Sequence, residues 1–328
     1  MGTGDVPHHR GVGRRADYAP TGTDTGTGLF ATLKRTVREY SEDNMSDWAA
    51  ALTYYGLLSL FPALIALVSI LGLFGDPQST TRSLTDIVTR LGPSSASDTF
   101  AGPIRSITSN RGAAGVLFFV GLGTAIWSAS GYIGAFTRAA NIIYETPEGR
   151  PFWKLRPLQL LVTLAMVVLL ALVALALVMT GPVVDTVADA IGIGSTAVTV
   201  WEIAKWPVLL AVVVLMFAVL YHVSPNVKLP GFKWVTPGAL LAIVVWLVAS
   251  ALFAFYVANF GSYDKTYGTL GGIVVLLVWF WITNVALLLG MELNSERERS
   301  RELDAGVPGA EKELQLDARD EPKRRRTT

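Results

Sequence analysis

Six stretches of this chain run for at least 22 residues without an Asp, Glu, Lys or Arg: 48–75, 112–137, 157–184, 206–227, 234–263 and 266–291. A helix needs about 20 apolar residues to cross roughly 30 Å of hydrocarbon. Helices buried in soluble proteins rarely stay uncharged that long. Composition agrees, because only 16% of the 328 residues are charged, against about 25% in an ordinary soluble domain. In lipid, backbone polar groups must be satisfied within helices or a closed barrel. Barrel strands alternate polar and apolar residues. Residues 160–178 do not alternate, being interrupted only by Thr163. The expected fold is therefore all-α: a polytopic membrane helical bundle with six transmembrane helices.

Lys and Arg orient the bundle. With the N-terminus inside, the two tails and the loops after spans two and four hold 21 of the 27 Lys and Arg residues. Both termini are thus expected in the cytoplasm. The expected organisation is a disordered N-terminal tail at 1–28, a six-helix domain at 29–294 and a charged, disordered tail at 295–328. Residues 76–111 form a long external loop, and the apolar stretch 191–201 is too short to span. Phe30, Leu33, Val37 and Tyr40 recur at helical spacing, which predicts an amphipathic helix on the membrane surface or against the bundle.

The chain has no cysteine and three histidines, two of them in the Gly-rich tail at His8 and His9. Disulfides, thiolate metal sites and cysteine nucleophiles are excluded. A net charge of +1 gives no field that calls for nucleic acid. No nucleotide-binding loop, metal site or catalytic constellation is seen, so no cofactor is expected and the chain is read as a non-enzyme.

Three segments carry a resemblance. Residues 50–64 read AALTYYGLLSLFPAL, residues 141–157 read NIIYETPEGRPFWKLRP, and residues 267–296 read YGTLGGIVVLLVWFWITNVALLLGMELNSE. With six spans in this arrangement, the chain resembles the YihY/BrkB family of bacterial inner-membrane proteins from about residue 29 to 296. The resemblance implies a multi-pass protein of the bacterial plasma membrane. It implies no settled activity: members have been labelled ribonuclease BN, a name widely regarded as a misannotation, or virulence factors, and some are linked to export of lipid or envelope components.

Candidate site residues follow from polarity inside apolar runs. Tyr54, Tyr55, Ser59 and Pro62 fall in the first span, where a proline removes one backbone hydrogen bond and a polar stripe suits a cavity wall. Asn259, Tyr263 and Tyr267 surround the glycine-rich junction of spans five and six. Asn284 sits inside span six, where an amide is costly unless paired; it either bonds another helix or lines a polar path. These eight form a hypothetical substrate path. Arg150, Lys154 and Arg156, with Phe152 and Trp153 among them, form a hypothetical headgroup site or plain interfacial anchors. The expected function is a transporter or translocator of lipid or envelope components. The alternative is a non-transporting scaffold or envelope-assembly factor, and a membrane ribonuclease or hydrolase has the least support. Membrane lipids are the expected partners, with a second copy of the chain or an envelope-assembly protein as further candidates.

Overall fold

A computed structural model of the chain describes residues 26–74, 111–178, 195–229, 231, 234–260 and 269–322. Seven helices are found there: α1 Leu29–Glu42, α2 Met45–Phe74, α3 Arg111–Ile143, α4 Phe152–Val178, α5 Ser195–Val223, α6 Pro237–Phe260 and α7 Thr269–Asp304. Helices α2 to α7 fall on the six apolar runs. Within the described residues, four helices carry a stretch long and apolar enough to cross a membrane: Phe152–Leu170, Val198–Val223, Pro237–Asn259 and Gly271–Asp304. The helices α2 and α3, at 30 and 33 residues, cover the first two expected runs.

Local chemistry explains where the helices stop. Asn44 and Glu145 take up left-handed backbone conformations after α1 and α3, at φ 52° and 50°. After α3, the Thr146 amide donates to the Asn141 carbonyl and the Glu145 amide to that of Ile142, the Schellman pattern that satisfies late helix carbonyls. Gly306, at φ 67°, ends α7 in the same way. At the start of α6, Thr236 Oγ1 accepts the Ala239 amide at 3.1 Å, and Pro237 occupies the first helical position, where its missing N–H costs nothing.

Each helix from α2 to α6 packs on the next, and α7 returns to α2, so the six close a ring. The α2–α3 and α6–α7 contacts are the most extensive, and α1 lies against α7 and α2. The α6–α7 crossing depends on two glycines. A Cβ on Gly238 would stand 1.9 Å from the Gly290 carbonyl oxygen, and one on Gly290 would stand 2.3 Å from that of Gly238. By contrast, Gly272 faces open space.

Burial is one-sided along the ring. The core gathers where α2 begins, α3 ends, α5 ends and α7 ends, around Met45, Leu52, Phe136, Tyr144, Tyr221 and Met291. Both ends of the described chain meet there, and this is called the tail end below. Toward the opposite end packing thins: α6 has no buried residue from Val244 to Asn259, and α4 has none among its described residues beyond Met166.

Two expectations are corrected. The stretch 195–201, too short to span alone, does not stand apart but forms the first turns of α5. The charged region from Ser295 is not a disordered tail. Helix α7 continues to Asp304, and residues 305–322 return along the tail end with Ala310 and Leu314 buried, because their polar groups find fixed partners there. The helix α1 presents Thr32, Arg35 and Thr36 to the bundle and leaves Leu29, Phe30 and Val37 exposed. Residues 1–25, 76–110 and 261–268, with the expected N-terminal tail, most of the first external loop, Tyr263 and Tyr267, lie outside the described residues.

Candidate functional site

A polar node joins three helices inside the ring. Asn284 of α7 is 4% exposed. Its Oδ1 accepts the Tyr132 hydroxyl of α3 at 2.8 Å, and its Nδ2 donates to Thr53 Oγ1 of α2 at 3.1 Å. The Thr53 hydroxyl in turn donates to the Ala49 carbonyl at 2.8 Å. Through these bonds Asn284 ties α7 to α2 and α3. Tyr132 and Thr53 were not singled out in the sequence, since tyrosine and threonine are common in apolar runs and only folding reveals the partner.

Of the first-span candidates, Tyr55 lies on the same seam. Tyr55 lays its ring beside Gly131 of α3, and Tyr54 meets it edge-on at a centroid distance of 5.6 Å while remaining exposed. Ser59 Oγ donates to the Gly56 carbonyl at 2.7 Å, not to the carbonyl freed by the proline. Pro62 falls within α2, but its side chain lies outside the described residues. Asn259 stays exposed near the far end of α6, its amide donating to the Phe255 carbonyl of its own helix at 2.8 Å. The structure therefore brings Tyr55 and Asn284 to one seam and leaves Asn259 apart from it.

The tail end is sealed by a second polar system. Asn226, fully buried, follows α5. Its backbone amide donates to Asn141 Oδ1 at 2.8 Å. Its side-chain amide donates to the carbonyls of Pro147 and Asp320, both at 2.9 Å. Asn141 donates to Glu148 at 2.9 Å, and Glu148 holds Arg150 through Nε at 2.8 Å and a second guanidinium nitrogen at 2.7 Å. Burial works against the Glu148 charge, but bonds from the Arg150 side chain and backbone and from Asn141 hold its carboxyl below the usual carboxylate range.

The hypothetical headgroup residues are committed here. Arg150, 7% exposed, also donates to the Ser224 carbonyl at 2.8 Å, so its fork is already used. Lys154 pairs with Asp320 at 2.7 Å. Arg156 lies over the Trp127 ring at 4.2 Å and donates to Gln159. A buried guanidinium with its acceptors in place makes a structural clamp, and the returning segment closes it. Arg319 donates to the carbonyls of Val227 and His222, and a Cβ on Gly149 would stand 1.8 Å from the Asp320 carbonyl oxygen.

A neighbouring ion network ties α1 to α7. Arg35 donates to Glu296 at 2.7 Å and to Ser300 at 2.6 Å. Arg299 bridges Glu296 at 3.0 Å and Glu145 at 2.9 Å. Glu292 is buried with one carboxyl oxygen lacking a partner among the described residues. Among those residues no group of His, Asp or Glu is placed to hold a metal ion.

Similarity to known proteins agrees with this architecture. One relative is a putative ribonuclease-like protein of Bacillus subtilis, 35% identical over 271 residues that cover 83% of this chain and 96% of the relative. A UPF0761 membrane protein of Alteromonas mediterranea is 26% identical, covering 78% of this chain and 84% of its own length. Another UPF0761 membrane protein, from Aeromonas salmonicida, is 27% identical over 77% of this chain and 84% of its own. No solved structure matches. Residues 36–314 match the family described as virulence factor BrkB, which takes in the ring, the polar node and the Asn141, Arg150 and Asn226 side of the tail-end seal, and the chain is a membrane protein of that family.

Proposed function

We propose that the chain moves an amphipathic lipid or envelope component across the bacterial plasma membrane, with both termini on the cytoplasmic side. The observation that carries this reading is the one-sided burial. A helix with neighbours on both sides normally buries an inward stripe, yet α6 buries nothing from Val244 to Asn259. The ring is closed at the tail end by the Asn226–Arg150 system and loosely packed at the other. Exposure on that scale would let a cargo reach the helix walls from that end.

The chemistry of its walls selects the cargo. The far halves of α4 and α6 carry no charged side chain, so they offer little to a fully hydrophilic solute. A molecule with an acyl chain gains by lying there, and its polar head needs only a few polar groups to cross. The excess of Lys and Arg in the tail-end segments supports placing that end in the cytoplasm.

The test is leaflet exchange of fluorescent phospholipid in liposomes containing the purified protein, read by dithionite quenching. The expected result is exchange several-fold faster than in protein-free liposomes. Unaccelerated exchange for both anionic and zwitterionic lipids, with protein shown to be folded, would sink the reading.

A further inference from the structure

The tail end holds one cavity that the clamp does not use. It has a volume of about 60 Å³ and lies between the end of α5, the start of α6 and the last turns of α7. By a measure in which one water needs roughly 10–15 Å³, it has room for a group on the scale of a phosphate. Tyr144, Ala218 and Leu229 supply an apolar wall, while Arg297, Glu298 and Arg301 supply a charged rim.

Arg297 differs from the other arginines of this end that are buried or half-buried. Arg35, Arg150 and Arg299 are bound to carboxylates, Arg319 to backbone carbonyls, and Arg156 to an indole face. Arg301 pairs with Glu298. Among the described residues Arg297 makes no ion pair or hydrogen bond, although it is half-buried and lines the cavity. The rim thus carries two guanidinium groups against one carboxylate, four residues apart on one face of α7. The acceptors nearby are already engaged: Asn294 takes the Gly238 amide at 2.9 Å and donates to Thr236 at 3.0 Å. What is left over is one donor fork and one positive charge.

We infer that this cavity binds the phosphate group of an anionic phospholipid headgroup, held by Arg297 and steadied by Arg301. A guanidinium matches a phosphate with two parallel hydrogen bonds. The cavity's surroundings argue for a lipid source. It borders the start of the apolar α6, and Trp234 and Val235 beside it are exposed, as suits residues at a membrane–water boundary. An apolar wall below a charged rim fits a molecule with a head and a tail. The site is distinct from the Arg150 clamp, and it holds whether or not the chain moves lipid.

The experiment is native mass spectrometry of the full chain in detergent, with phosphatidylglycerol or phosphatidylcholine added. The wild-type chain is expected to retain phosphatidylglycerol preferentially. Arg297→Gln should lower that retention about tenfold, the size expected for losing a charge-assisted pair of bonds. Arg138→Gln, at an exposed arginine of the same end, should leave it unchanged. If Arg297→Gln proves unfolded by its melting curve, Arg297→Lys carries the test: it keeps the charge but loses the fork, and about threefold weaker retention is expected. Wild-type retention in the folded Arg297 variant overturns the site, whatever the exchange assay finds. In a further arm, glycerol 3-phosphate in solution should fail to displace the lipid. Displacement at equal concentration would overturn the lipid source and assign the site to a soluble phosphate ester.

Discussion

Asn284 shows how much one side chain does inside this ring. Three helices converge on its amide, and its two nearest partners are hydroxyls inside apolar runs. Removing the amide strands the Tyr132 hydroxyl and frees Thr53. Polar contacts of this kind in membrane bundles contribute roughly 1–2 kcal/mol. Asn284→Ala should therefore destabilise the protein by about that amount and Tyr132→Phe by less, measured by thermal unfolding in detergent. Because the two share a bond of 2.8 Å, the double variant should cost at least about 0.5 kcal/mol less than the sum of the singles. Strict additivity would show that the bond does not form. The residue scale is also where sequence reading stops earliest. An amide in an uncharged run is legible as a group that needs a partner. Its partners lie 152 and 231 residues away, and nothing local names them. Arg150 misled for the same reason. Its own acid, Glu148, stands two residues before it, but only the turn that follows α3 folds the carboxylate onto the guanidinium.

Among the elements, the connection between α3 and α4 shows why a loop in a membrane protein is fixed. Glu145 in a left-handed conformation stops α3, and Glu148 then gathers Asn141, Arg150 and the Arg150 amide. The sign of its titration follows from that arrangement. A carboxyl held below its ordinary value stabilises the fold at pH above the ordinary carboxylate range, near 4.5, and this contribution is lost as pH falls through the lowered folded value. Between about pH 7 and about pH 3 the wild-type melting midpoint should fall more steeply than that of Glu148→Gln. Parallel curves would show that Glu148 is not a source of acid sensitivity. The helices themselves were the most legible part of the chain, since uncharged runs set by bilayer thickness need no partner to be recognised. Their ends were less so: α7 runs on past residue 291 because its polar last turns face Arg35 and Glu145 rather than water.

For the whole molecule, the returning segment after α7 closes what the helices leave open. It bonds to Asn226, Glu145 and Lys154 through Asp320, Leu314 and their neighbours, so it ties the α3–α4 connection to the α5–α6 connection. A chain ending after Asp304 should keep its helices yet lose this tie. Hydrogen exchange at residues 141–150 and 222–228 should then speed up at least about tenfold, as expected when a local opening loses a bonded partner. Unchanged exchange would mean that the segment lies on a face already rigid without it. Charge richness made this segment look solvated. What the composition concealed is that its acids and bases answer fixed partners on the loops, a match visible only once the ring brings both loops to one end.

The ring also imposes an order on its own making. The strands of bonding that converge on Asn284 join a hydroxyl made early, on α2, to an amide that leaves the ribosome 231 residues later. Until α7 is in place, Thr53 and Tyr132 lack that amide. A half-made chain is therefore chemically different from a finished one toward the tail end of the ring, and completion of the last helix is the event that removes the difference.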